Sequence, residues 1–85
     1  MSKYPFQIFG KMNCSNCETL KNIMDKNKKE YEYKLLDVDF TRKEVEWFFK
    51  DLDPEIKQFP IIRYNGMFIS YFHFTKIYLD NFLSQ

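Results

Sequence analysis

Phe6-Gln7-Ile8-Phe9-Gly10-Lys11-Met12-Asn13-Cys14-Ser15-Asn16-Cys17 carries the architecture of this chain. An apolar run from Phe6 to Phe9 ends at a glycine, and the chain's two cysteines follow as a Cys-x-x-Cys pair at the head of an expected helix. A thiol is a poor nucleophile until it ionises. A helix N-terminus offers unpaired backbone N–H groups and a partial positive charge, both of which favour the thiolate. Residues at i and i+3 share a helix face, so Cys17 can displace a sulfur bonded to Cys14 and close a small intramolecular disulfide.

Strands and helices alternate along the rest of the chain. Tyr4 to Phe9 is a short apolar segment that predicts a buried strand, with Pro5 tolerated near its start. From Ser15 to about Asn27 the residues Leu20, Ile23 and Met24 recur at helical spacing, and the Lys-rich end suits the negative pole of that helix. Tyr31 to Val38 alternates and predicts a second strand, with Asp37 and Asp39 where it ends. Thr41 is placed as the N-cap of a second helix, Glu44 completes a capping box, and Val45, Phe48, Phe49 and Leu52 mark its buried face. The segment Asp51-Leu52-Asp53-Pro54 stops it, because proline cannot continue a helix and disfavours helical backbone at the residue before it.

Two further strands, Ile61 to Tyr64 and Met67 to Tyr71, flank Asn65-Gly66. Both turn residues accept the positive φ that a type I′ hairpin requires. A last helix over about His73 to Leu83 carries Phe74, Ile77, Tyr78 and Phe82. The order is βαβαββα, with no linker, repeat or low-complexity tract.

Composition bounds what such a chain can be. Its 85 residues make one domain, above the size at which metals or disulfides are usually needed, and they bury somewhat over ~60% of the unfolded surface. Ten Phe and six Tyr supply large buried areas for that size. A net charge of +1 argues against a nucleic-acid partner, and Lys26, Lys28, Lys29 and Lys34, interleaved with Glu30 and Glu32, form a solvated helix end. No apolar run approaches the length of a signal-peptide core or a membrane span, so the expected location is a reducing cytoplasm. There, two lone cysteines at this spacing are catalytic more often than structural.

Other readings of the pair remain. Cys-x-x-Cys is also half of a zinc site, but structural zinc takes four ligands and the remaining soft ligand is His73, so closing the site needs a second chain. A permanent structural bridge across so small a loop constrains the unfolded chain little.

The combination of βαβαββα order, Cys14-x-x-Cys17 after the first strand, Lys11 three residues before the first cysteine and Phe59-Pro60 opening the hairpin resembles the glutaredoxins. The resemblance covers nearly the whole chain, 1–85, as a single glutaredoxin-like domain. It implies the thioredoxin-like fold, a four-stranded mixed sheet flanked by three helices. It also implies that Pro60 follows a cis bond facing the cysteines, and that backbone at Phe59 pairs with substrate. In this reading Cys14 attacks a protein disulfide or a glutathionylated substrate, Cys17 resolves the intermediate, and Lys11 favours the Cys14 thiolate by its charge. No tightly bound cofactor is expected, and the protein is expected to act as a monomer.

The chain departs from the family pattern at two places. Ser15-Asn16 stand where glutaredoxins commonly carry Pro-Tyr, which removes an aromatic border of the glutathione groove. Ser70-Tyr71, then Phe72-His73, stand where a Gly-Gly pair and a following Asp usually help to hold glutathione. Ser15, Asn16, Phe59, Pro60, Ser70 and Tyr71 are thus the candidate substrate-binding residues, with either glutathione or a reductase flavoenzyme as electron donor. Among the remaining residues, Trp47 is expected to pack at the edge of the core. His73 is expected on the surface, and Tyr64 and Tyr71 at half-buried strand positions. Asp37, Asp39, Asp51 and Asp53 are expected as turn and cap residues. A reading of another class is a thioredoxin-like interaction domain whose cysteines are vestigial or share a metal between two chains.

Overall fold

A computed structural model describes residues 4–54 and 56–84, with Phe48 described by its backbone alone. Residues 1–3, expected to run straight into the first strand, lie outside the described residues, as does the expected inward side chain of Phe48. The elements are β1 (Phe6–Gly10), α1 (Ser15–Lys26), β2 (Glu32–Leu35), α2 (Arg42–Phe48), β3 (Ile61–Tyr64) and β4 (Met67–Ile69), then a helical segment over 71–84. That segment comprises α3 (Tyr71–His73), a π-helical stretch (Phe74–Tyr78) and α4 (Leu79–Ser84). The described strands form one sheet in the order β2-β1-β3-β4. β1 and β2 are parallel, and the other neighbours antiparallel. A mixed four-stranded sheet with three helices in the order βαβαββα is the thioredoxin-like arrangement.

The pleat sorts side chains to two faces. Ile8 lies opposite both Tyr33 and Ile62, and Ile62 opposite Ile69, so these residues share a face with Phe6. α1 contributes Leu20 and Met24 to that face, and the C-terminal segment contributes Phe74 and Phe82. The Phe6 ring centroid lies 5.1 Å from that of Phe74 and 4.9 Å from that of Phe82. On the opposite face Phe9 meets Phe40 and Phe49 edge-on at 5.7 and 5.6 Å. Each buried aromatic contributes about 1.5–3 kcal/mol relative to exposure, so aromatic packing on both faces is the main stabilising element of this small chain.

Local chemistry explains the helix ends. Thr41 Oγ1 accepts from the Glu44 N–H at 3.2 Å and Glu44 Oε1 accepts from the Thr41 N–H at 3.0 Å, the reciprocal capping box that the sequence predicts. At the far end of α1, Lys28 adopts a φ of 56°, its N–H donates to Asp25 O, and the Lys29 N–H donates to Met24 O. This pattern is a Schellman motif closed by a lysine where glycine is usual. Asn65 and Gly66 take φ of 50° and 84°, as the β3–β4 turn demands.

Several boundaries differ from expectation. β1 begins at Phe6 rather than Tyr4, leaving Pro5 exposed ahead of it. β2 covers Glu32–Leu35 rather than Tyr31 to Val38: Asp37 turns at a φ of 68°, and Asp39 Oδ2 accepts from the Leu35 N–H, which folds the chain into a loop and leaves Val38 70% exposed. α2 ends at Phe48 with Phe49 as its C-cap, before the Asp51-Pro54 segment, so Leu52 is half-buried outside the helix. β4 stops at Ile69 because Ser70 caps the next helix, which puts Tyr71 on a helix and not a strand. Ile77, grouped by helical spacing with Phe74, Tyr78 and Phe82, is 53% exposed. The Leu79 N–H donates to Phe74 O, and this wider π turn delays the helical rotation so that Phe74 and Phe82 share the core while Ile77 does not. Trp47, expected at the core's edge, is 67% exposed and carries the Lys50 ammonium 4.7 Å from its ring centroid.

Candidate active site

The candidate site begins where β1 ends. β1 and β2 run in parallel, so the loop after β1 leaves the sheet at the same end as the loop after β2. Because β3 is antiparallel to β1, its start at Ile61, preceded by Phe59-Pro60, lies at that end too. β4 also finishes there, at Ile69, followed by Ser70 and Tyr71. The register therefore gathers the cysteine loop, Phe59-Pro60 and Ser70-Tyr71 at one end of the sheet.

Cys14 is the N-cap of α1. Its backbone is extended (φ −118°, ψ 104°), and its Sγ accepts a hydrogen bond from the Cys17 N–H at 3.2 Å. One of the helix's otherwise unpaired N–H groups is thus directed at sulfur. The two cysteines form a disulfide with Cα atoms 5.2 Å apart. Cys14 retains 9% exposure and Cys17 has none, so of the two residues only Cys14 reaches the surface. Ser15 is exposed and Asn16 half-buried in the first helical turn.

Phe59-Pro60 is a cis peptide, and Pro60 is fully buried. The Phe59 ring stacks against Phe40 at 6.4 Å, and the Lys11 ammonium lies 5.6 Å from its centroid. Lys11 is thereby held between the cysteine loop and the segment before β3. Ser70 is 4% exposed, and its hydroxyl accepts from the His73 N–H at 3.2 Å. Tyr71 packs against the main core. His73 is exposed, as expected. Among the described residues no cluster of His, Cys, Asp and Glu is placed to hold a metal ion. A cavity of about 410 Å³ between the sheet and α2 is lined by Phe9, Phe40, Phe49 and Phe68, on the face opposite α1.

Residues 6–84 match the family model of the Glutaredoxin-like domain (DUF836). This chain belongs to that family. Comparison with curated proteins returns no match. A glutaredoxin-like domain with a Cys-x-x-Cys pair at a helix N-terminus fits a thiol-redox role. Among the described residues of this glutaredoxin-like chain, no helix is long and apolar enough to cross a membrane.

The sequence did not reveal the neighbours of the site. Phe40 supports Phe59 from the loop after β2, and Tyr33 places its hydroxyl against Gly10. A glycine ending an apolar strand was the available signal for that close approach.

Proposed function

We propose that this glutaredoxin-like protein is a cytoplasmic thiol–disulfide oxidoreductase that reduces protein disulfides or glutathione mixed disulfides through Cys14 and Cys17. The observation that supports it is the asymmetry of the pair, an outer sulfur capped by a helix N–H and a fully buried partner one turn on. In the reduced protein the Cys14 thiolate attacks a substrate sulfur, a mixed disulfide forms and one substrate thiolate leaves. Cys17, deprotonated as it attacks, then displaces the second substrate sulfur from Cys14. The substrate has gained two electrons and two protons, and the protein holds the disulfide seen here. Two glutathione molecules restore the dithiol by the reverse exchange and leave as glutathione disulfide.

A second reading keeps the chemistry and changes the donor. At the position of the family's glycine pair, the Ser70 hydroxyl is occupied as a helix cap and the Tyr71 side chain packs against the core. Neither residue offers the close backbone approach that glycines permit, which favours recharging by a reductase flavoenzyme.

Turnover of a glutathionylated substrate with glutathione as sole reductant tests both readings. Activity that needs Cys14 and survives Cys17→Ser supports the glutathione route. Inactivity there, with protein disulfides still reduced by the pre-reduced wild type, supports the flavoenzyme route. Inactivity in both assays would sink the oxidoreductase reading.

A further inference from the structure

Tyr33 holds a polar atom that the packing of the fold leaves unexplained. Its Oη is buried and, among the described residues, has no hydrogen-bond partner. A buried hydroxyl without a partner is costly and calls for a physical reason. The chain also makes room for this oxygen. A Cβ on Gly10 would overlap Tyr33 Oη, so the last residue of β1 is a glycine that admits the hydroxyl. Phenylalanine would supply the same ring without that cost.

The direction of the side chain locates the oxygen. Tyr33 pairs with Ile8, on the sheet face covered by α1, and its hydroxyl reaches Gly10, two residues further along β1. The ring therefore points toward the end of the sheet from which the chain passes into the cysteine loop and the start of α1. On α1 the Lys21 ammonium lies 4.5 Å from the ring centroid. One helical turn toward the N-terminus from Lys21, in the same direction as the hydroxyl, is Cys17, fully buried. The ionisable groups around the phenol are Glu18 and Lys21 of α1 and Tyr31 on the chain before it. Burial, followed by the charge of Glu18, raises the Tyr33 pKa above its ordinary value, so the phenol keeps its proton and acts as a donor.

We propose that Tyr33 is a positioning residue for the resolving cysteine, its hydroxyl donating a hydrogen bond to Cys17 Sγ when the Cys14–Cys17 disulfide is opened. This rests on the dithiol reading above. Opening the disulfide takes two electrons from two thiols of the electron donor, which leave as their own disulfide. Cys17 is released as a thiolate or thiol with free lone pairs. Tyr33 keeps its O–H bond throughout and supplies a donor where a buried thiolate otherwise has little solvation. Because the bond exists in the dithiol and not in the disulfide, it makes the disulfide easier to reduce and lowers the Cys17 thiol pKa.

The test compares wild type with Y33F, which keeps the ring and removes only an oxygen without a partner. Equilibration with glutathione redox buffers should show the Y33F disulfide favoured about tenfold more than in wild type, a fall of ~30 mV for this two-electron couple. In a Cys14→Ser background, Y33F should raise the Cys17 thiol pKa. In wild type alone, independent of how the variant folds, the Tyr33 13Cζ resonance should move on reduction. An unchanged equilibrium overturns the assignment, and so does a shifted equilibrium without a change in Cys17 titration. A wild type that does not cycle at all would remove the dithiol reading itself, and this assignment with it.

Discussion

Cys14 Sγ accepts the backbone N–H of Cys17 at 3.2 Å, so the first residue of the redox pair is also the cap of the helix that carries the second. Once the disulfide is reduced, that N–H and the helix dipole favour the thiolate of Cys14. We predict that Cys14 titrates below the ordinary thiol range, read from thiolate absorbance in Cys17→Ser; an ordinary thiol pKa would undo the electrostatic argument. For a generic thiol, lowering the pKa from ~8.5 to ~5.5 raises the thiolate fraction at neutral pH about 30-fold. The same change lowers intrinsic nucleophilicity roughly 20-fold, with a Brønsted slope of ~0.4–0.5. The two nearly cancel. The gain lies in Cys14 as a leaving group when glutathione attacks the glutathione sulfur of a mixed disulfide. When Cys17 attacks Cys14 Sγ the substrate thiolate leaves instead, so the step that tuning accelerates is release of Cys14 by an external thiol.

Thr41→Ala removes one half of the capping box at α2. The expected loss is about 1 kcal/mol, seen as a lower denaturant midpoint at unchanged slope. A short helix that covers the Phe9 face depends on its cap, so an unaffected midpoint would mean that tertiary packing alone holds α2.

Lys28→Gly is expected to stabilise the protein. Lys28 closes α1 in the left-handed region at a φ of 56°, which costs a non-glycine residue about 1–2 kcal/mol. Glycine avoids that cost but gives the unfolded chain more freedom, worth about 0.4–1 kcal/mol. Those two figures leave a net gain between about 0 and 1.6 kcal/mol, read from chemical denaturation. A loss of stability would show that the Lys28 side chain contributes more than its backbone costs.

Tyr31 sets a prediction at alkaline pH. Its hydroxyl donates to Asp25 Oδ1 at 2.8 Å, and burial, then that bond, push its pKa up to about 12. An unfolded tyrosine ionises near pH ~10. Between these values the folded state binds the extra proton, so stability falls as pH rises. The contribution is complete below about pH 10 and gone above about 12. Unfolding of Y31F in a Cys14→Ser/Cys17→Ser background should show a flatter decline across this window than Tyr31 in the same background. Parallel curves would contradict it.

What the sequence made legible was what short-range chemistry decides. The Thr41/Glu44 box and the Asn65-Gly66 turn form as expected because their partners lie within three residues of one another. The apolar spacing of Leu20 and Met24 placed α1 correctly on the core. Ser70 escaped notice as a cap because position 73 is histidine, not the Glu or Gln that completes a capping box, and the apolar pattern ran on past it. Trp47 was misplaced because composition cannot tell a buried indole from one covered by a neighbouring lysine. At the site, Cys14, Cys17 and Phe59-Pro60 were visible as motifs. The supports from Phe40 and Tyr33 were not, since they depend on which strands meet.

Trapping the mixed-disulfide intermediate tests the role of Cys14 as the attacking sulfur. Cys17→Ser would be mixed with a glutathionylated or disulfide-bonded substrate and the adduct located by mass spectrometry of peptides. A single mixed disulfide on Cys14 is expected, absent in Cys14→Ser and released by added thiol. A Cys17→Ser protein that forms no adduct at Cys14 would contradict the assignment of Cys14 as the attacking nucleophile.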